Sequence, residues 1–297
     1  LENNDEIVYV SAGEGTTSQG DFHEALNWAS NLRAPVIFHI QDNEYAISTH
    51  KSVQNADSVY SISSGYRNLS RYNVDGVDFF ETNLAFKEAI KRARKGRGPS
   101  LIVSNVVRLL PHSSSDDQRK YRTEKELLED QERDPLVVFK REAIKNKIIK
   151  ESEFKKIELE IKKSIEKDVE WSLSQEDPNP DNAHRYVYSS KSIEVETAKN
   201  PISREKVVMV DAINHALNEE MDLNPKMIIY GQDIADPKGG VFTATKGLSS
   251  KYGKDRVFNS PLAESSIIGT AIGLAVTGYK PVVEIQFADY IWTSMMQ

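Results

Sequence analysis

Apolar residues along the first hundred positions fall into short runs separated by segments of helical period. Ile7-Val8-Tyr9-Val10, Val36–Ile40 and Leu101–Val107 are rich in β-branched residues and read as strands, the first as a buried strand flowing into a glycine turn. Between them, segments near Asp21–Leu32 and Leu84–Lys95 carry apolar residues at helical spacing, and Pro35 and Gly98-Pro99 punctuate the approach to strands. The alternation predicts a βαβ parallel sheet covered on both faces, whose ligands belong at the carboxyl ends of the strands. After Asp134-Pro135 the pattern turns helical: Phe154, Ile157, Ile161, Ile165, Val169 and Leu173 recur among Lys and Glu, predicting a surface helix packed along one stripe. Gln175–Asn182 holds two prolines in polar company and reads as an interdomain linker. A second α/β region follows: an amphipathic helix from about Glu205 through Met221, strand Met227–Tyr230, a loop at Gly239-Gly240, Val257-Phe258, helix Glu264–Val276 and strand Pro281–Gln286. The predicted organisation is a first α/β domain with C-terminal helices over 1–174, a linker over 175–201 and a second α/β domain over 202–297. Leu1 is not an initiator residue and the last positions lack a helix-ending signal, so both domains are expected to be truncated parts of a longer chain.

Composition narrows the function classes. Of 297 residues 39% are hydrophobic and 28% charged, a globular balance. A net charge of −7 supplies no positive field for a nucleic-acid backbone or an anionic lipid surface, so neither partner is expected. The absence of cysteine excludes disulfides, thiolate metal sites and a cysteine nucleophile, and fits a reducing compartment. The run Ile267–Val276 is far shorter than the ~20 residues of a spanning helix, and the acidic opening is no signal peptide. A cytoplasmic location is the default expectation.

The candidate chemistry begins at Gly13-Glu14-Gly15-Thr16-Thr17-Ser18-Gln19-Gly20-Asp21, directly after the first strand. Glycines on both sides of an acid let the backbone approach a ligand, and the following helix start offers amide donors to a phosphate. An acid beside a phosphate repels it unless a cation intervenes, which suggests a divalent metal with Glu14 as one oxygen ligand. Taken alone, the stretch is equally well read as a tight strand-to-helix turn. Gln41-Asp42-Asn43-Glu44-Tyr45-Ala46-Ile47-Ser48 follows the next strand, and in a parallel sheet both strand ends open on one edge, so Asn43 and Glu14 converge. A carboxylate, an amide oxygen and a backbone carbonyl leave room in an octahedron for two diphosphate oxygens and water, the outline of a magnesium diphosphate site.

GEGTTSQGDFHEA and QDNEYAIS together resemble the thiamine diphosphate motif in the alpha part of the first, decarboxylating component of 2-oxo acid dehydrogenase complexes. The resemblance implies that Glu14, Asn43 and the Tyr45 carbonyl hold Mg2+, with Gly13, Gly15, Ala46 and Ile47 lining the cofactor. Many pyruvate-type members have Asp between the glycines and Asn at position 42; Glu14 is similar to the branched-chain type, and Asp42 departs from both. The loop Arg108-Leu109-Leu110-Pro111-His112-Ser113-Ser114-Ser115-Asp116-Asp117, followed by Tyr121-Arg122, resembles the family's active-site loop. His112 then faces the cofactor and helps protons move during transfer to lipoamide, and Ser113 matches a position phosphorylated in mitochondrial relatives. The second region resembles the beta part of the same component through Gly231-Gln232-Asp233, Pro261-Leu262-Ala263-Glu264 and Glu284-Ile285-Gln286-Phe287-Ala288-Asp289-Tyr290.

An acid such as Glu264 at a helix start is often there for the helix dipole alone. In the family the matching residue contacts the aminopyrimidine ring and activates the cofactor, with Gln286 and Tyr290 lining the cleft; Gln232 stands where a Glu is usual. Phe242 and Trp292 read as ordinary core. The resemblance thus implies two thiamine diphosphate-binding-type parallel-sheet domains in one fused chain, a diphosphate half and then a pyrimidine half. It implies thiamine diphosphate and Mg2+ as cofactors, oxidative decarboxylation of a branched-chain 2-oxo acid or pyruvate, a lipoyl-bearing acyltransferase as partner, and a homo-oligomer of the fused chain. A transketolase-like carboligase and a noncatalytic assembly module are the alternative readings.

Overall fold

A computed structural model describes residues 5–188 and 206–297. The chain divides into two compact units, one built from 1–139 and 207–297, the other from 140–206.

The first unit holds two parallel sheets. Strands β1 (Val8–Gly13), β2 (Val36–Asp42), β3 (Ser70–Asp75) and β4 (Ser100–Asn105) form one sheet in the order β1-β2-β4-β3, all parallel. Helix α1 (Gly20–Leu32) connects β1 to β2, and α2 (Phe79–Arg94) connects β3 to β4. The central strands β2 and β4 are covered on both faces, which is why they read as continuous apolar runs. On one face Phe22, Leu26 and Ala29 of α1 pack against Phe38, Ile40, Leu101 and Val103. On the other, Ala85 and Ala89 of α2 meet Ile37, Val74 and Ile102. Asp78 caps α2 by accepting from the amides of Phe80 and Glu81, which accounts for a start earlier than the apolar period suggests.

One expectation changes, and two features were not anticipated. Strand β1 is not buried: Val8, Tyr9 and Val10 are exposed, because β1 is an edge strand that pairs only with β2 among the described residues. Strand β3 has no counterpart in the apolar pattern. The short helices Lys51–Gln54 and Val59–Ile62 occupy the connection ahead of it.

The second sheet runs β6-β5-β7, again all parallel, with β5 (Met227–Gly231) central between β6 (Val257–Asn259) and β7 (Lys280–Glu284). Helices flank this sheet too. Helices α3 (Glu124–Glu132), α4 (Pro135–Lys145) and α5 (Glu151–Leu173) follow the first sheet, α6 (Met209–Leu223) precedes β5, and α7 (Glu264–Val276) follows β6. Met221 of α6 packs with Met227, Ile229, Ile234, Leu248 and Val257. Trp28 of α1 joins Ile228, Tyr230 and Ile267 in a further cluster, so the first and second sheets share core through α1 and α7. Glu24 on α1 accepts from the amide and hydroxyl of Ser266 at 3.2 and 3.1 Å at the same contact.

In the other unit, α5 carries the expected apolar period, but Ile157, Ile161, Ile165, Val169 and Leu173 are all exposed. The stripe expected to pack is uncovered among the described residues. Of the expected linker, Pro180–Asn182 forms a 3-10 turn, and positions 189–201 lie outside the described residues. Among the described residues no helix is long and apolar enough to cross a membrane.

Candidate active site

Parallel pairing brings the strand ends of the first sheet to one edge. Gly13 aligns with Gln41 and Asp42 with Asn105, so the residues after β1, β2 and β4 emerge side by side. Glu14 opens a 3-10 turn, Glu14–Ser18, inserted before α1. The turn is closed by the Thr17 hydroxyl donating to the Glu14 carbonyl at 2.6 Å, while Asn55 donates to Thr17 Oγ1 at 2.9 Å. Gly15 is favoured by close approach: a Cβ there would stand 3.1 Å from the Cβ of Ala46, close enough that Ala46 would have to shift. At Gly13 a Cβ would meet nothing within 4 Å, so the side of the turn is open.

The Glu14 side chain is 1% exposed and its Oε1 has no hydrogen-bond partner. Burial holds its carboxyl above the usual carboxylate range and the charge of Asp42 adds to the effect, against the backbone amides of residues 14 and 43 and the Arg108 guanidinium. A cavity of about 300 Å³ lies beside it, lined also by Asp42, His50, Lys51, Asn55 and Ser58. Asn43 Oδ1 accepts from the Tyr45 amide at 3.1 Å, an Asx turn that fixes the amide oxygen at the strand end and leaves it a lone pair. Asp42, 5% exposed, accepts from the Glu44 amide at 2.9 Å and from Lys51 Nζ at 3.2 Å, and Lys51 also pairs with Glu44 at 3.1 Å. Burial pushes the Lys51 ammonium down, but these two carboxylates outweigh it and its pKa is raised.

These residues fit the cation that the sequence implies. Glu14 Oε1 is a buried acceptor without a donor, Asn43 has acceptor capacity to spare, and the open flank at Gly13 admits an anionic group. Among the described residues no group of three or more His, Cys, Asp or Glu is suited to a metal, so a cation here would need part of its shell from amide, carbonyl and ligand oxygens.

The loop after β4 is tied to this edge by Arg108. Its guanidinium donates to the carbonyls of Ala46 at 3.1 Å and Ile47 at 2.9 Å, and to the Tyr121 hydroxyl at 2.7 Å. Tyr121 in turn donates to Asp116 at 2.6 Å, and Asp116 accepts from the His112 amide at 3.0 Å. The Tyr121 hydrogen bond is the main reason that Asp116 lies below the usual carboxylate range. His112 and Ser113 are exposed. Arg122 is buried, pairs with Asp130 at 2.5 Å and lies over the Tyr45 ring, whose hydroxyl donates to Glu126 at 3.2 Å. Arg108 and Arg122 thus clamp the Tyr45–Ile47 turn. Both stood in the quoted sequence match, yet nothing in their spacing marks them as clamps.

The second sheet repeats the device. Gln232 follows β5, Glu264 follows β6 and Gln286 follows β7, so parallel pairing again gathers them at one edge. Buried Gln232 donates to Glu264 Oε1 at 3.0 Å. Gln286 donates to the Gln232 carbonyl at 3.2 Å and to Asp233 Oδ2 at 2.7 Å. Glu284, which belongs to the matched stretch but was assigned no role from sequence, has a buried Oε1 without a partner, and burial followed by the charge of Asp233 raises its pKa. Tyr290 packs edge-on to Phe287 at 5.5 Å, and Phe287 to Phe242 at 6.0 Å. Phe242 and Trp292 are exposed, not core: Phe242 sits in the turn after Gly239-Gly240 and Trp292 in the 3-10 helix Ala288–Ser294 that follows β7. Glu14, Asn43 and Tyr45 form one group and Glu264 with Gln286 a second; among the described residues no hydrogen bond joins the two groups.

Comparison with known proteins finds matches to both halves of the chain. The profile of the family described as Dehydrogenase E1 component matches residues 1–181, and that of Transketolase, pyrimidine binding domain, matches residues 205–297. The 2-oxoisovalerate dehydrogenase subunit alpha of Bacillus subtilis (strain 168) is 41% identical over 140 residues, 47% of this chain and 42% of that protein. The pyruvate dehydrogenase E1 component subunit alpha of Staphylococcus aureus (strain Mu50) is 40% identical over 136 residues, 46% of this chain and 37% of that protein. The pyruvate dehydrogenase E1 component subunit beta of Leifsonia xyli subsp. xyli is 49% identical over 89 residues, 30% of this chain and 26% of that protein. The chain therefore spans less than half the length of each of these relatives. With an alpha-like and a beta-like match in the order of its two sheets, the chain belongs to the dehydrogenase E1 component family, the thiamine diphosphate-dependent first components of 2-oxo acid dehydrogenases.

Proposed function

We propose that the protein carries out the Mg2+- and thiamine diphosphate-dependent oxidative decarboxylation of a 2-oxo acid and passes the acyl group to the lipoyl group of an acyltransferase component. A branched-chain 2-oxo acid is preferred, on the basis of Glu14, over pyruvate. The observation that carries this reading is the buried Glu14 carboxylate, with one oxygen unpartnered, at the carboxyl edge of a parallel sheet. A group so placed is stabilised by a cation, and a cation there is in turn a counter-charge for a diphosphate.

Glu14, Asn43 and the Tyr45 carbonyl would hold Mg2+, and Gly13, Gly15, Ala46 and Ile47 would line the diphosphate. When bound, thiamine diphosphate would supply a carbon nucleophile suited to a 2-oxo group. Glu264, its carboxyl oriented by Gln232, would hold a proton against the aminopyrimidine ring, and Gln286 and Tyr290 would line the same cleft. His112, on a loop anchored through Asp116, Tyr121 and Arg108, would move a proton during transfer of the acyl group to lipoamide. We take residues 1–174 as the diphosphate domain, 175–201 as linker and 202–297 as the pyrimidine domain. The fused chain acts as a homo-oligomer, and its lack of cysteine suits the reducing cytoplasm.

Calorimetric titration of the chain with thiamine diphosphate, with and without Mg2+, tests the cofactor reading. Binding is expected to require Mg2+ and to vanish in Glu14→Ala. Equal affinity in the variant, or indifference to Mg2+, would overturn it.

A further inference from the structure

We propose that Lys51 is a built-in counter-cation that makes metal binding at the Glu14 cavity conditional on the diphosphate. The inference rests on the cation reading above and adds a positioning and selectivity residue to it. Asp42 is the reason one is needed. It is almost fully buried, lines the same cavity as Glu14, and acts on the Glu14 carboxyl as a neighbouring negative charge. Two carboxylates facing one cavity, one of them with an unpartnered oxygen, would chelate a divalent cation by themselves.

The arrangement forestalls that. Asp42 Oδ1 is occupied by the Glu44 amide at 2.9 Å and Oδ2 by Lys51 Nζ at 3.2 Å. Lys51 is held in place from the other side by Glu44 at 3.1 Å, and its backbone amide donates to the Glu44 carbonyl at 2.8 Å. The left-handed backbone of Glu44, at φ 72°, bends the chain so that both carboxylates reach the one ammonium. Lys51 itself lines the cavity. Its charge therefore offsets that of Asp42 as seen by an incoming metal ion, leaving Glu14 as the one buried carboxylate of the lining without a cation; Asp57, the other acid of the lining, is exposed and screened by solvent. The same charge favours an incoming diphosphate, which brings the remaining negative charge that a divalent ion needs.

The test is Mn2+ binding followed by the electron paramagnetic resonance signal of the free ion, with and without thiamine diphosphate. Parent, Lys51→Met, Lys51→Arg and the double variant Asp42→Asn/Lys51→Met are compared, with thermal unfolding in cation-free buffer as the check on folding. Lys51→Met is expected to bind Mn2+ alone about tenfold more tightly than the parent, since a free carboxylate then joins Glu14. Lys51→Arg keeps the charge and should keep parental affinity. The double variant, with neither charge, should return to within about threefold of the parent. If Lys51→Met does not fold, Lys51→Gln removes the charge with a polar head group and carries the same expectation. Mn2+ binding that is no tighter in Lys51→Met, or equally tight in the double variant, would refute the role of Lys51 while leaving the cation site standing. No Mn2+ binding by any form, even with thiamine diphosphate, would refute the cation site and this inference together.

Discussion

Replacing Glu14 with Gln sets the stability of the metal-free protein against its capacity to bind a cofactor. In the cation-free chain the carboxylate is 1% exposed, one oxygen lacks a partner, and the charge of Asp42 opposes its ionisation. An unsatisfied buried polar group costs about 1–3 kcal/mol, more when charged, and an amide of the same size removes the charge while an oxygen still accepts from the backbone. We expect Glu14→Gln to be more stable than the parent by about 1 kcal/mol at neutral pH in chelator-treated buffer, a net figure because the new amide group is itself incompletely paired. The order should reverse with cofactor. At a hundred times Kd of Mg2+ and thiamine diphosphate the parent should gain about 2.7 kcal/mol, while the variant gains nothing. Urea unfolding with and without ligand measures both. A variant less stable than the parent in cation-free buffer would show that the carboxylate already has a compensating partner in the protein, and the argument for a cation would fall.

Glu264→Gln keeps size and hydrogen bonding but loses the exchangeable carboxyl proton, so cofactor binding should persist while hydrogen–deuterium exchange at the thiazolium carbon slows by at least about tenfold; an unchanged rate would return Glu264 to a helix-dipole role. His112→Ala should impair acylation of lipoamide more than decarboxylation read with an artificial electron acceptor, and parallel losses with weaker cofactor affinity would contradict the proposed role. Asp236 is held down to about 2 because donors from Gly247, Ser250 and Ser249 outweigh the cost of its desolvation. Its folded pKa lies below the ordinary 3.8, so its contribution is fully present above that value and is lost as pH falls towards about 2. Discounted for solvent, Asp236→Ala should cost about 1–2 kcal/mol at pH 7 and little at pH 2, measured by urea unfolding at each pH.

The strands that are buried on both faces, β2, β4 and β5, were legible because burial on two sides leaves an unbroken apolar run. Strand β3, Ser-Arg-Tyr-Asn-Val-Asp, was not: it is an edge strand, only Val74 is buried, and Arg71 spends its charge over the Tyr60 ring. The boundary of α2 was set by Asp78, which no apolar period announces. Convergence of Glu14 with Asn43 followed from parallel pairing alone, and the grouping of Glu264 with Gln286 obeys the same rule. What the pattern could not hold were contacts made by neither period nor motif: the Arg108 and Arg122 clamps, the Lys51 bridge, and the orphaned oxygen of Glu284. Each depends on side chains brought together by the fold from separate loops or strand ends.

The packing of Trp28 gives the protein an optical handle on the contact between its two sheets. Three tryptophans are present: Trp28 is 5% exposed, Trp171 is 66% exposed and Trp292 is 73% exposed. Trp28 stands edge-on to Tyr230 at 5.8 Å, in the cluster where α1 meets β5 and α7. Blue-shifted emission shielded from iodide therefore belongs to this junction, and the quenchable, red-shifted component to the other two. Separation of the alpha-like from the beta-like half can be watched by fluorescence alone, without a label and without any loss of secondary structure to signal it.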